Sequence, residues 1–344
     1  MSPRSQRIVP KSIAVCLLLA GLAAVAYAQS AGRGQSASDK STLLRWKFSK
    51  GQQLEYLLVL DSTLAVSAQN STLTLNTTWK VESVDDDGTA EISYTFDRVR
   101  INATFGNQPP LDADSEKKNA EGEFAKRMAA IFDAMVGNPG RLRISPLGKV
   151  SDVELPEGMA DKLKNAPALG QLASLFNEGL FKRVVESSAL ELSEEAVSKG
   201  ETWTQSQEIN YPAQGRQIVK TTYTFEGIEN RGGRALAKIT PEVEVDFPDA
   251  EKSLTIAKQD SSGTIYFDTS SGKVSQMDVE HSMQIEVTVM GQKFSEDIGA
   301  VTSLKLISAG GDSKAVSSGD SKSSLGGGSK TSTGKESKPV KKKP

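Results

Sequence analysis

From Met277 to Val289 the sequence alternates without interruption. Met277, Val279, Met283, Ile285, Val287 and Val289, with His281 among them, fall on one side; Asp278, Glu280, Ser282, Gln284, Glu286 and Thr288 fall on the other. A period of two places one set on a buried sheet face and the other toward solvent. At about 3.3 Å per residue the run extends over roughly 40 Å. No strand of that length stays flat, because the sterics of L-residues impose a right-handed twist. The chain therefore has to be built around a large, curved sheet.

The same period governs the rest of the core. Leu73, Leu75, Thr77, Trp79 and Val81 form one strand face, Asp85-Asp86-Asp87-Gly88 supplies a hairpin turn, and Ala90, Ile92, Tyr94 and Phe96 return in phase. After Asp97 and Arg98 the apolar positions move to Val99, Ile101 and Ala103, the slip by one residue that a β-bulge makes. In the second half Val219, Thr221, Tyr223 and Phe225 lead to a turn at Glu229-Asn230-Arg231-Gly232-Gly233, and Ala235, Ala237 and Ile239 return. Residues 301–307 read as a closing strand.

Three phrases recur in the same order. Lys50-Gly51-Gln52-Gln53-Leu54 returns as Lys199-Gly200-Glu201-Thr202-Trp203, Trp79-Lys80-Val81-Glu82 as Tyr223-Thr224-Phe225-Glu226, and Gly148-Lys149-Val150-Ser151 as Gly272-Lys273-Val274-Ser275. They predict a duplicated β unit with a helical insertion in the first copy. That insertion, 114–138, opens at Asp114 or Ser115, carries the stripe Phe124, Met128, Ile131, Phe132 and Met135, and stops at Gly137-Asn138-Pro139-Gly140. A second helical connection, 156–195, has Leu163, Leu172, Phe176, Leu180, Phe181 and Val184 as its apolar members.

The expected fold is α+β and β-dominated: a large curved antiparallel sheet or partly open barrel from the duplicated unit, with two helical segments packed on its apolar face. One domain is expected at 42–308, divided into a first unit 43–155, the connection 156–195 and a second unit 196–308. Residues 1–28 have the layout of a cleaved signal peptide, with Arg4, Arg7 and Lys11 before an apolar run and Ala26-Tyr27-Ala28 as the cleavage site. The protein is thus expected to be exported, periplasmic or extracellular. The only cysteine, Cys16, lies in that segment, so the mature chain forms no disulfide. Residues 29–41 read as a flexible lead-in, and the Ser, Gly and Lys-rich residues 309–344 as a disordered tail.

Charge is unevenly shared. Of 41 basic and 43 acidic residues, residues 1–28 hold three basic ones and the tail eight lysines against three acids, leaving 30 basic and 40 acidic, a net charge of −10. An acidic core argues against nucleic acid as a partner. The Lys-rich tail is suited to an anionic envelope polymer or membrane surface.

Chemistry-bearing motifs are sparse. One histidine and no mature thiol exclude Cys/His zinc sites and sites with two His ligands. No G-x-S-x-G, P-loop or dinucleotide fingerprint is present, and Asp85-Asp86-Asp87 lacks the spacing of a calcium loop. His281 is expected to be a buried or rim histidine with one hydrogen-bond partner. No catalytic, metal or cofactor-binding residue is assigned. Sequons at Asn70, Asn76 and Asn102 would matter only in a eukaryotic secretory pathway.

Leu43-Leu44-Arg45-Trp46-Lys47-Phe48-Ser49-Lys50-Gly51, the run from Thr78-Trp79-Lys80-Val81 to Asp87-Gly88-Thr89-Ala90, and Lys199-Gly200-Glu201-Thr202-Trp203 together resemble a family of exported bacterial proteins known as domain of unknown function 6263. The resemblance implies a bacterial cell-envelope setting and no activity. Tyr266-Phe267-Asp268 followed by Gly272-Lys273-Val274 and a long amphipathic strand is more loosely similar in architecture to periplasmic lipoprotein carriers. The leading expectation is a non-enzymatic binding or carrier module for a hydrophobic or lipidic ligand, lined by Phe124, Met128, Phe132, Met283, Ile285 and Val287. The alternatives are an envelope-associated structural protein tethered by its basic tail and a carboxylate-based hydrolase. Oligomeric state is left open.

Overall fold

A computed structural model of the chain describes residues 41–66, 68–106, 110–117, 123–159, 161, 185, 189–211, 215–249, 254–289 and 292–310. Twelve strands form one antiparallel sheet: β1 (Gln53–Leu64), β2 (Gln69–Val84), β3 (Ala90–Phe105), β4 (Leu111–Asp114), β5 (Pro139–Ile144), β6 (Val150–Glu154), β7 (Thr202–Tyr211), β8 (Gly215–Arg231), β9 (Arg234–Asp246), β10 (Leu254–Asp268), β11 (Lys273–Val289) and β12 (Gln292–Gly310). Across the sheet they run β6-β5-β3-β2-β1-β12-β11-β10-β9-β8-β7, with β4 added beside β3. The sheet does not close; β6 and β7 are its ends.

Two five-stranded meanders, β1-β2-β3-β5-β6 and β7-β8-β9-β10-β11, lie in the same sense on either side of β12. Their details repeat. Gly51 N–H donates to the Val81 carbonyl at 2.8 Å and Gly200 N–H to that of Phe225 at 2.7 Å. The β2–β3 ladder slips between Val81 and Ser83, and the β8–β9 ladder between Phe225 and Gly227. The expected bulge in β3 is also present: Asp97 is the extra residue where Asn76 and Thr77 face Arg98 and Phe96.

The sheet curls strongly. One buried cluster joins Leu64 of β1 with Val219 of β8, Val243 and Val245 of β9, Met283 and Ile285 of β11 and Ile298 of β12. Strands β1 and β8 are five places apart in the sheet order, about 24 Å along a flat sheet at 4.8 Å per strand. Bringing them to one cluster makes the apolar face concave. A second cluster fills the other end and contains Trp46, Trp79, Tyr94, Leu142, Tyr223, Phe225 and Phe267.

At that end each meander is tied to the other. Residues 45–48, which precede the first meander, lie on the β10–β11 turn of the second: Lys47 N–H donates to the Gly272 carbonyl at 3.3 Å. The buried Lys273 ammonium donates to the Lys47 carbonyl and to that of Ser271 at 3.2 Å, 4.6 Å from the centre of the Phe48 ring. Residues 189–192, which precede the second meander, lie on the β5–β6 turn of the first: Leu192 N–H donates to the Leu147 carbonyl at 2.8 Å. Trp46 Nε1 bonds the Leu190 carbonyl at 2.7 Å, and Trp203 Nε1 bonds that of Glu191 at 3.1 Å.

One ladder is incomplete. β9 and β10 pair only from Leu236 with Asp268 to Ile239 with Ile265. Two residues on stands Pro241, which has no N–H for the strand beside it. Past it side chains replace backbone: Val243 N–H donates to Ser261 Oγ at 2.7 Å and Val245 N–H to Gln259 Oε1 at 2.8 Å, while Gln259 Nε2 donates to the Val245 carbonyl at 3.3 Å.

Several expectations need correction. One α-helix is described, α1 (Glu123–Met135), so the pair of helical segments is not what the described residues show. Asp114 does not start α1; it ends β4, where its buried carboxylate takes 3.2 and 2.7 Å bonds from Arg98, an ion pair that favours extended pairing over a helical first turn. The central part of the connection, 162–184, lies outside the described residues, and residues 189–195 are not helical. Strand β8 continues through Glu229, Asn230 and Arg231, leaving Gly232 and Gly233, both at positive φ, as the whole turn. The closing strand is longer than 301–307 because β12 pairs along β11 and β1, which carries it through Ala309 and Gly310. The segments 1–28, 29–40 and 311–344 lie outside the described residues.

Candidate functional site: the concave face

Strand register fixes which side chains share a row on the concave face. One row reads Val99, Leu75, Leu58, Leu304, Met277 and Ile265 across β3, β2, β1, β12, β11 and β10. The next reads Ile101, Leu73, Leu60, Thr302 and Val279. Leu58, Leu73, Ile101, Met277, Val279 and Leu304 stay half-buried although they point into the curl. They make an apolar strip about 19 Å long, four spacings of 4.8 Å from β3 to β11, lying between the two buried clusters.

The third row changes character. Ala103, Ser71, Ser62, Ala300, His281 and Ser261 follow one another across the same six strands. Five of the six are small. Ser62, Ser71 and Ala300 are half-buried, whereas His281 is 5% exposed. The fourth row is again mostly apolar, with Leu64, Ile298 and Met283 beside Gln69 and Gln259. None of the four rows carries Asp, Glu, Lys or Arg.

His281 departs from expectation in one respect. It is buried, but among the described residues neither ring nitrogen has a hydrogen-bond partner. Burial holds its pKa below the ordinary imidazole range, with the charge of Asp260 opposing weakly from the outer face. The ring is therefore kept neutral, with one nitrogen as donor and the other as acceptor. Tyr56 Oη is also buried without a partner, its ring 5.1 Å from that of Trp79, and burial pushes its pKa up. A further polar group lies on β7 and β8, where Gln205 and Thr221 face each other. Gln205 Nε2 bonds Glu191 at 3.2 Å, while among the described residues Gln205 Oε1 has no partner. Glu191's carboxyl is pushed up by burial, with Lys149 pulling the other way.

The residues expected to line a ligand site are divided between the two ends. Met128 and Phe132 are buried in the cluster with Trp46, and Met283, Ile285 and Val287 in the cluster with Val219. Phe124 stands in α1, and its side chain lies outside the described residues. The half-buried strip between these groups escaped the sequence reading. Its members have the same period-two signal as the core, and only register separates them. Among the described residues no group of three His, Cys, Asp or Glu could hold a metal ion, and no helix is long and apolar enough to cross a membrane.

A family model described as a family of unknown function, DUF6263, matches residues 87–294, more than half of the chain. The chain belongs to that family. No curated protein matches this DUF6263 chain. Among solved structures it is similar to lipovitellin, studied for its lipid–protein interactions, at 16% identity and a TM-score of 0.34 over 79% of this chain. It spans 27% of that protein's length. An exported protein with a YmcC-like fold from Bacteroides fragilis is 9% identical at a TM-score of 0.28, over 77% of this chain and 99% of its own. A DUF1329 family protein from Desulfovibrio piger is 10% identical at 0.20, over 78% and 88%. Scores this low carry no argument about ligand or activity.

Proposed function

We propose that this DUF6263 chain is an exported, non-enzymatic binding or carrier module that holds a hydrophobic ligand against its concave face. The observation that supports it is the half-buried apolar strip of Leu58, Leu73, Ile101, Met277 and Leu304. Apolar side chains on the inside of a curl gain about 25 cal/mol for each Å2 removed from water, and here that gain is incomplete. A ligand laid along the strip completes it. Strands that alternate inward and outward give such a surface rigid walls, and small hydrophobic molecules are commonly held on apolar concave surfaces.

The test is native mass spectrometry of the full chain purified gently from the compartment it is exported to. Co-purifying apolar molecules are expected, and Leu58→Glu with Leu304→Glu should remove them while far-UV circular dichroism stays unchanged. A wild-type protein that carries nothing, and takes up no long-chain probe when one is added, refutes the reading. The contrast between an acidic core and a Lys-rich tail supports a second role, attachment to an anionic surface. Deleting residues 311–344 should then abolish salt-sensitive envelope association without affecting ligand content.

A further inference from the structure

Resting on that reading, we infer that His281 is the polar contact of the bound ligand, and that the ligand is a long-chain molecule bearing one uncharged O–H group, a carboxylic acid or an alcohol. Three independent features support this. The first is the unpartnered imidazole, 5% exposed and pointing to the concave side with neither nitrogen hydrogen-bonded among the described residues. A buried polar ring without partners is costly, and such groups are nearly always satisfied by protein, water or ligand.

The second is the space beside it. Ala300 is its direct neighbour on β12 and Ser261 on β10, with Ser62 and Ser71 beyond Ala300. These small side chains form a trough between two rows of larger ones, and Ser62, Ser71 and Ala300 keep accessible surface in it. Ser261 is already occupied, accepting the Val243 N–H at 2.7 Å. The strip lies along β11 from His281, about 7 Å away at Val279 and about 13 Å at Met277 at 3.3 Å per residue, so a chain on the strip reaches the imidazole with its polar end turned toward the third row.

The third is charge. The groups around the imidazole are Val279 and Met283 on its own strand, Gln259, Ser261 and Gly263 on β10, and Ile298, Ala300 and Thr302 on β12, none of them ionisable. The valines Val219, Val243 and Val245 complete the neighbouring cluster from across the curl. The inward-facing carboxylate of Glu296 lies four residues further along β12 and accepts the Val66 N–H at 2.7 Å. Asp260 acts from the outer face. With no cation in these rows, a phosphate headgroup would be buried without a counter-charge, which costs far more than an uncharged hydroxyl or carboxylic acid. The neutral ring accepts the O–H through its unprotonated nitrogen.

The experiment compares three probes of equal chain length on the full protein: palmitic acid, hexadecanol and hexadecane, the last with no hydrogen-bonding group. His281→Phe should weaken the first two about tenfold relative to wild type, the worth of one hydrogen bond to an otherwise unpartnered buried group, and leave hexadecane unweakened. His281→Gln, which can still accept, should keep most of the affinity for both. Equal affinity of hexadecanol for wild type and His281→Phe overturns the assignment to His281 and leaves the carrier reading standing. Failure of all three probes to bind wild type removes both. Should His281→Phe not fold, Ala300→Leu fills the trough beside an intact imidazole; it must weaken hexadecanol more than hexadecane, and equal effects on the two overturn the proposal.

Discussion

Gly148→Ala tests the mutual tie between the meanders, and its cost can be worked from the structure. Gly148 has φ +86°, a conformation that costs a side chain about 1–2 kcal/mol. An added Cβ would overlap the Leu190 carbonyl and lie 2.7 Å from Trp46 Nε1, the two partners of the bond that fixes residues 189–192 to the lead-in. Separating them leaves a buried donor and acceptor unsatisfied, about 1–3 kcal/mol more. The total is about 2–5 kcal/mol. Gly51 is the control: its φ is +82°, but nothing lies within 4 Å of an added Cβ, so only the first contribution applies.

Urea unfolding followed by tryptophan fluorescence reads the difference, since Trp46 sits at the perturbed bond. With a slope of roughly 3 kcal/mol/M for a domain of this size, the two variants should be separated by about 0.7 M in midpoint. Gly272→Ala should resemble Gly148→Ala, because its Cβ would lie 2.6 Å from Lys47 N and 2.7 Å from the Arg45 carbonyl. Equal midpoints for Gly51→Ala and Gly148→Ala would show that the cross-tie contributes nothing and that the positive φ alone matters.

Gln259→Ala removes the side chain that stands in for a strand beside Val245, so hydrogen exchange at the Val245 amide should accelerate by about tenfold or more while Val243, held by Ser261, is unchanged; equal rates in wild type and variant would refute the substitution of side chain for ladder. Asp114→Asn breaks the paired bonds from Arg98 and should destabilise by about 2 kcal/mol in the same urea assay, with a loss under 0.5 kcal/mol counting against the pair. The pH dependence has a fixed sign. The Arg98 bond holds the Asp114 carboxyl below its ordinary range, against the opposing effect of burial, so its stabilisation is fully present above about pH 4 and lost as pH falls through the lowered folded value. Wild type and Asp114→Asn should therefore converge in stability at acid pH, and parallel curves would refute it.

What could be read from the sequence follows from range. Alternation in residues 277–289 is set by each residue's own side chain, and β11 buries His281, Met283, Ile285 and Val287 while exposing Asp278, Glu280, Ser282, Gln284 and Thr288. The slip at Asp97 and the Asp85–Gly88 turn are equally local, with Gly88 N–H returning to the Asp85 carbonyl at 2.9 Å. The recurring Gly-Lys-Val phrase marked equivalent turns, yet gave no sign that each is covered by the lead-in of the other meander. Pro241 was a readable signal for the broken β9–β10 ladder, because a proline in a strand has no hydrogen to offer a neighbour. Asp114 was misleading: an acidic residue before an amphipathic stripe suits a helix start, and the competing partner, Arg98, lies sixteen residues away in another strand.

The candidate site is the least legible part for the same reason. Ser62, Ser71, Ala300 and Ser261 come from four strands, and each is unremarkable in its own alternating run. They become a trough only when four ladders fix their register, and a slip of one residue in any ladder would move its members to the opposite face. His281 gains its significance from the same registration. On its own strand it reads as one polar interruption of an apolar stripe; across the sheet it is a buried imidazole, unpartnered among the described residues, with small side chains, Ser261 and Ala300, on both flanking strands. The proposed binding role thus depends on what lies beside a residue across the sheet, and less on what precedes or follows it along the chain.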